Sequence, residues 1–358
     1  MTSHDATLAR DPLAEAETDP DLGVTRSRSI DPTMLMWPLV LLFLFGLIWA
    51  AGGIGPRESV AAVWDGTLGG VDAIAELLVR AAPLIVVGIG AAFALRAGAF
   101  NVGGEGQMAV GAVAAILALE AASGLPAAVT WTIALIAAFA GGSLWAVVPA
   151  WLSARRGVSE ILSTLLFNFM TINLLIWLLT STPLQDPDPY VITAQGAPLA
   201  DALRFPVLVQ GTRLHAGVLV AGVVIVLGIW VMRTPVGLAV DLIGANRSLA
   251  AQGGLRPDLT RVGLLLFSAG TAGIAGAIQL FGVSHRLTPG LTAGVGYTGL
   301  LVAVIGRARP LNTALAAVIF AFLTLGGEAL EREGVPRAVS LIAQGLVVVG
   351  VALQGRTR

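Results

Sequence analysis

The densest group of polar side chains in this otherwise apolar sequence is Asn101-Val102-Gly103-Gly104-Glu105-Gly106-Gln107. Two amides and a carboxylate supply both donors and acceptors. The interleaved glycines permit non-helical or closely packed backbone. Beside a cavity, such groups can bind a polar solute inside a membrane. Alternatively, Glu105 caps its own helix at the positive end of the dipole. A second group, Glu160, Thr164 and Asn168, is spaced four apart and so shares one helical face. It fits a polar stripe along a pathway, or hydrogen bonds between helices. Gln279 carries the same two readings. Other chemistry is absent. The chain has no Cys and no Lys, so all 21 basic residues are Arg. That removes disulfides, thiol nucleophiles, Cys-ligated metals, Schiff bases and the phosphate-binding Lys of P-loop ATPases. His4, His215 and His285 lie far apart in sequence. No catalytic residue, metal site or cofactor is expected in this chain. The net charge of -1 gives no electrostatic reason to expect nucleic acid.

The elements that must hold these residues follow from hydropathy. The chain of 358 residues is 56% hydrophobic and 12% charged, against about 25% charged in soluble domains. Helices are the expected spanning form, at roughly 20 apolar residues each. The sequence therefore predicts an all-α polytopic membrane protein of about ten transmembrane helices. The expected spans are 35–54, 77–95, 102–119, 127–151, 161–180, 216–232 and 262–283, then three shorter ones at 293–306, 313–327 and 338–353, each either tilted, half-spanning or extended by flanking residues. Residues 1–33 read as a polar, disordered cytoplasmic tail. With both termini inside, 14 of the 21 Arg fall on the cytoplasmic side, as the positive-inside rule requires. Gly270, Gly273 and Gly276 recur within one span and predict close helix packing. Val102-Gly103-x-x-Gly106 is echoed by Val295-Gly296-x-x-Gly299, the trace an inverted repeat would leave.

Two loops are long. The outer loop, 181–215, is either a docking surface or a solvated cap. The inner loop, 233–261, contains Ser248–Gln252, suited to a short surface helix that Gly253-Gly254 would end. It reads equally as a protein contact and as an interfacial connector.

Together these motifs resemble a known family. Ala99-Phe100-Asn101-Val102-Gly103-Gly104-Glu105-Gly106-Gln107-Met108 is similar to a signature of ABC-importer permeases of the branched-chain amino acid and simple-sugar superfamily, nucleoside branch. Glu160-Ile161-Leu162-Ser163-Thr164-Leu165 with Asn168 resembles the next signature of that branch. Gly244, Asn246, Ala250, Ala251 and Gly254 match its ATPase-coupling loop. Gly294–Leu300, followed by Ala303-Val304-Ile305-Gly306-Arg307, matches a later signature. The resemblance runs from about Pro83 to Pro310. The chain departs from it in its N-terminal tail and in Gln252-Gly253, where an aromatic or aliphatic residue is more usual. The resemblance implies a permease domain over residues 34–355, with 233–261 as the ATPase-coupling loop. It implies import of nucleosides or related small solutes, with Asn101, Glu105, Gln107, Thr164, Asn168 and Gln279 as pathway candidates. It also implies ATP on separate cytoplasmic ATPase subunits, a second permease subunit, an extracytoplasmic substrate-binding protein, and a bacterial plasma membrane location.

Other readings compete. A simple-sugar permease is a neighbouring branch. An ion-coupled secondary transporter would carry a buried carboxylate, Lys or His, and here Glu105 and Glu120 lie only near span edges. An intramembrane enzyme has no His pair, Cys or ligand spacing to support it. A purely structural subunit would need neither the polar stripe nor the coupling-type loop.

Overall fold

The computed structural model describes Gly46, Ala50 and residues 52–354 except 123 and 189. Among them the chain is helical, and an isolated antiparallel bridge pairs Val207 with His215. The expected tail at 1–33 and most of the expected span at 35–54 lie outside the described residues.

Helix α1, Pro56–Thr67, was not anticipated. It begins with Pro at its first turn, and Glu58 Oε2 accepts the Gly55 N–H at 2.9 Å. Helix α2, Val71–Arg96, is apolar on nearly all sides and is buried along most of its length, as a central helix should be. After a break containing Gly98 at φ 74, α3 runs from Gly104 to Ala121. Helix α4, Ala127–Trp145, continues past Ala146 into α5, Val147–Arg156, which Gly157 ends at φ 66. Ser159 then caps α6, Glu160–Ser181. Helix α7, Gly217–Met232, meets α8, Pro235–Ala245, at 72°. Asn246 caps the short α9, Arg247–Gln252. Helix α10, Pro257–Gln279, is extended by a π-helical turn over Leu280–Ser284. Helices α11 (Val295–Ile305), α12 (Pro310–Arg332) and α13 (Arg337–Gln354) complete the chain.

Among the described residues, five helical stretches are long and apolar enough to cross a membrane, or six if α7 and α8 form one bent span. The structure sets two of the lengths that the sequence left open. Helix α11 has 11 residues, about 16 Å at 1.5 Å per residue, roughly half the hydrocarbon thickness. Helix α12 has 23 residues, longer than the apolar run alone, because Pro310 starts it early and Glu328, Glu331 and Arg332 extend it.

The core lies around α2 and α10. Helix α10 packs on α2, α3 and α4, while α11 and α12 pack on the far side of α2. Small residues permit the closest crossings. A Cβ on Gly276 would stand 2.0 Å from the Met108 carbonyl oxygen, and one on Gly273 would stand 2.0 Å from that of Ala138.

Candidate functional site

The break before α3 is held by a hydrogen-bonded knot. Asn101 and Gln107 exchange amide bonds: Asn101 Nδ2 donates to Gln107 Oε1 at 2.7 Å, and Gln107 Nε2 donates to Asn101 Oδ1 at 2.9 Å. Asn101 also donates to Ser268 Oγ on α10 and accepts the Gly103 N–H. From α6, Thr164 Oγ1 accepts the Val102 N–H. Asn168 Oδ1 accepts the Gly106 N–H, and its Nδ2 donates to the Val102 carbonyl and the Tyr297 hydroxyl. Asn101, Gln107, Thr164 and Asn168 are all at least nine-tenths buried. The side chains thus satisfy backbone groups that the helix break orphans. Glu105 is half-buried. It lies in the first turn of α3, but its Oε1 accepts the Gly296 N–H at the start of α11. The two echoed motifs therefore meet start to start. Ser268 was missed in the sequence because neither spacing nor composition marks it, and Tyr297 was read only as part of the Gly294–Leu300 motif.

Gln279 lies apart from the knot. It lines a cavity of about 300 Å³ between α2, α10, α11 and α12, with Thr298, Thr324, Glu76 and Arg80. Arg80 donates to both oxygens of Glu328, at 2.5 and 2.9 Å, and to Glu76 at 3.1 Å. Arg213 reaches Glu76 at 3.2 Å from the segment before α7. Arg80 lies inside the expected span 77–95 and was not among the pathway candidates. The available signal was four charged residues near the ends of apolar segments, which in lipid must pair.

Residues 196–216 lie along the end of α10 and the residues just after it. Gly196, Leu199 and Phe205 donate backbone N–H groups to Leu287, His285 and Phe281. Phe205 stacks on His215 and meets Trp131 and Phe281 edge-on. Burial pushes the His215 imidazole down to about 4, assisted by His285 and Arg213, and opposed by Glu76. His285 is also lowered, by burial first and then by Arg204 and Arg213.

On the loop 233–261, Gly244 packs where a Cβ would stand 1.8 Å from the Arg96 carbonyl oxygen. Asn246 Oδ1 accepts the Leu249 N–H at 3.0 Å. Ala250 is buried among Ala97, Val240 and Ile243, whereas Ala251 is exposed. Gly254 adopts φ 84 just beyond α9, a conformation that favours glycine. Leu238, Leu242 and Leu249 are exposed and border an apolar groove of about 630 Å³ between α8 and α9. Among the described residues no group of three His, Cys, Asp or Glu is placed to hold a metal ion.

Long apolar helices around a broken helix and a half-length helix define a polytopic membrane protein. The chain belongs to the family described as the branched-chain amino acid transport system permease component, whose model matches residues 73–352. It is 32% identical to the glucose ABC transporter permease TsgB13 of Haloferax volcanii, over 88% of this chain and 86% of that protein. It is 30% identical to the guanosine ABC transporter permease NupP of Bacillus subtilis, over 89% of this chain and 93% of that protein. It is 22% identical to the nucleoside ABC transporter permease NupB of Lactococcus lactis, over 88% of this chain and 89% of that protein. No solved structure matches it significantly.

Proposed function

We propose that this chain is the membrane-spanning subunit of an ABC importer that carries nucleosides across a bacterial plasma membrane. The observation that carries the reading is the family match over residues 73–352 together with the guanosine and nucleoside permeases among its relatives. The chain forms part of the pathway and performs no chemistry. ATP acts on separate cytoplasmic subunits, a second permease subunit completes the channel, and an extracytoplasmic binding protein delivers the solute. Hexose is the second substrate reading, favoured by the similarity to a glucose permease.

The domain reading is part of the same proposal. Residues 34–355 form the permease, with about ten spans and both termini cytoplasmic. The contact of the two echoed motifs, Gly104 against Gly296, supports an inverted repeat. Residues 233–261 form the ATPase-coupling loop. Its exposed Leu238, Leu242 and Leu249 supply an apolar surface on an aqueous loop, the kind of patch that marks an interface. Gly244, Asn246, Ala250 and Gly254 shape that loop, and Ala251 lies on its surface. The knot residues Asn101, Glu105, Gln107, Thr164 and Asn168 hold the junction between α2 and α3 in the pathway wall.

The experiment is uptake into proteoliposomes containing the assembled complex. Guanosine uptake should require ATP, and Leu249→Asp should abolish both ATPase capture and uptake. Ala250→Asp should instead disrupt the loop's own packing. Uptake driven by a proton gradient with no ATPase present would overturn the reading.

A further inference from the structure

We infer that the cavity between α2, α10, α11 and α12 is the solute subsite, and that it takes a neutral, hydrogen-bonding solute while refusing its phosphate ester. The inference rests on the transport reading above.

The polar groups of the chain divide into spent and unspent. Asn101, Gln107 and Asn168 commit their amides to one another and to backbone, and bury them. A solute could reach them only by breaking bonds that hold the helix break together. Gln279 instead turns a half-buried amide into the cavity, and no other described residue hydrogen-bonds to that amide. Thr298 and Thr324 donate their hydroxyl hydrogens to the Gly294 and Phe320 carbonyls, at 3.0 and 2.9 Å. Their oxygen lone pairs stay free to accept. The cavity thus offers one donor-and-acceptor amide and two acceptors, with Leu84 and Val283 as an apolar wall. At about 300 Å³ it is at the lower end of small-molecule sites.

Charge at the cavity is balanced. Two guanidinium groups, Arg80 and Arg213, face two carboxylates, Glu76 and Glu328, in one connected chain. The strongest phosphate-binding geometry, the Arg80 fork, is already occupied bidentately by Glu328. A phosphate would have to displace that carboxylate inside a membrane protein, where an unpaired charge is costly. An uncharged solute bearing hydroxyls or ring nitrogens meets no such penalty.

The test is photolabelling of the assembled permease–ATPase complex with 8-azidoguanosine. Label should map to peptides containing Gln279 or Thr298, and guanosine but not its 5′-monophosphate should compete. Gln279→Leu should reduce labelling about tenfold, since it leaves the solute's polar group unpaired. Glu328→Gln should free one guanidinium charge and allow the monophosphate to compete about tenfold better. If Gln279→Leu does not assemble, the Glu328→Gln arm decides. Label on the 101–107 segment, or equal competition by both ligands in the unaltered complex, would overturn the subsite. Should the unaltered complex import neither guanosine nor glucose with ATP, the transport reading itself falls; intact import with label elsewhere sinks only the subsite.

Discussion

Glu105 Oε1 accepts the backbone N–H of Gly296 at 2.6 Å, and that of Tyr297 more weakly at 3.4 Å. The carboxylate belongs to the first turn of α3, yet it caps α11. A Cβ on Gly296 would stand 2.3 Å from the Glu105 backbone nitrogen, so only glycine lets the two helix starts meet. One negative charge therefore serves two positive dipole ends.

Substituting this carboxylate should separate charge from shape. Glu105→Gln keeps an acceptor for Gly296 but loses the charge, at a cost of about 1 kcal/mol. Glu105→Leu leaves the Gly296 N–H unpaired and should cost about 2 kcal/mol or more. Melting temperatures of the purified chain in detergent should fall in that order. Equal values for both variants would show that the carboxylate is not the cap.

The sequence marked this region but not its wiring. Hydropathy located α2, α4, α6, α7 and α10 because long apolar runs have one solution in lipid. It left the length of α11 open, since an apolar run does not reveal where backbone leaves helical geometry. The polar cluster was visible as an anomaly of residue type. Its partners Ser268 and Tyr297 were not, because they arrive from helices more than a hundred residues away. Glu105 was read either as a pathway residue or as a cap of its own helix; the long-range cap on α11 needed coordinates. The charged chain Glu328–Arg80–Glu76–Arg213 was legible in part, since Glu76 and Arg80 are four apart on one helix.

Arg261 and Glu160 form a second joint, at the end of the loop that carries α9. Arg261 Nη2 donates to Glu160 Oε1 at 3.0 Å and to the Gly98 carbonyl at 2.8 Å. Glu160 also accepts the Phe100 N–H and the Ser153 hydroxyl. The side chains are only 20% and 13% exposed, so removing one partner strands the other. Glu160→Gln and Arg261→Gln should each cost about 2–3 kcal/mol, the worth of a hydrogen bond to a charged group. The exchanged pair Glu160→Arg with Arg261→Glu should not recover stability, because an Arg at 160 cannot accept the Phe100 N–H. Full recovery in thermal melts would reduce the contact to a simple ion pair.

Helix contact at Gly276 and Gly273 should tolerate no methyl group. Gly276→Ala places a Cβ about 2.0 Å from the Met108 carbonyl oxygen, and backbone cannot give way as a flexible side chain can. Gly263, on the same helix, has nothing within 4 Å of an added Cβ. Overpacking typically costs about 1–3 kcal/mol, whereas Gly→Ala on an open helical face gains up to about 1 kcal/mol. Gly276→Ala should therefore lower the detergent melting temperature and Gly263→Ala should raise or preserve it. A fall of similar size in both would mean that α10 does not cross α3 this closely.

The outer segment should loosen in acid. His215 is buried against Phe205, and its pKa is lowered from 6.5 to about 4 by burial, with His285 and Arg213 adding to the effect. Glu76 opposes the shift; Arg204 and Asp201 act on the neighbouring His285. A lowered pKa means that the folded state binds the proton less readily than the unfolded one. Its stabilising contribution is complete above pH 6.5 and is lost as pH falls towards about 4. The amides of Leu199 and Phe205, which donate to the His285 and Phe281 carbonyls, report the docking directly. Their protection from hydrogen exchange, corrected for intrinsic rates, should decline between neutral pH and about 4. His215→Gln should flatten that decline, since a neutral amide has no proton to gain in this range. Protection independent of pH in the unaltered chain would mean that protonation of His215 does not govern the docking of this segment.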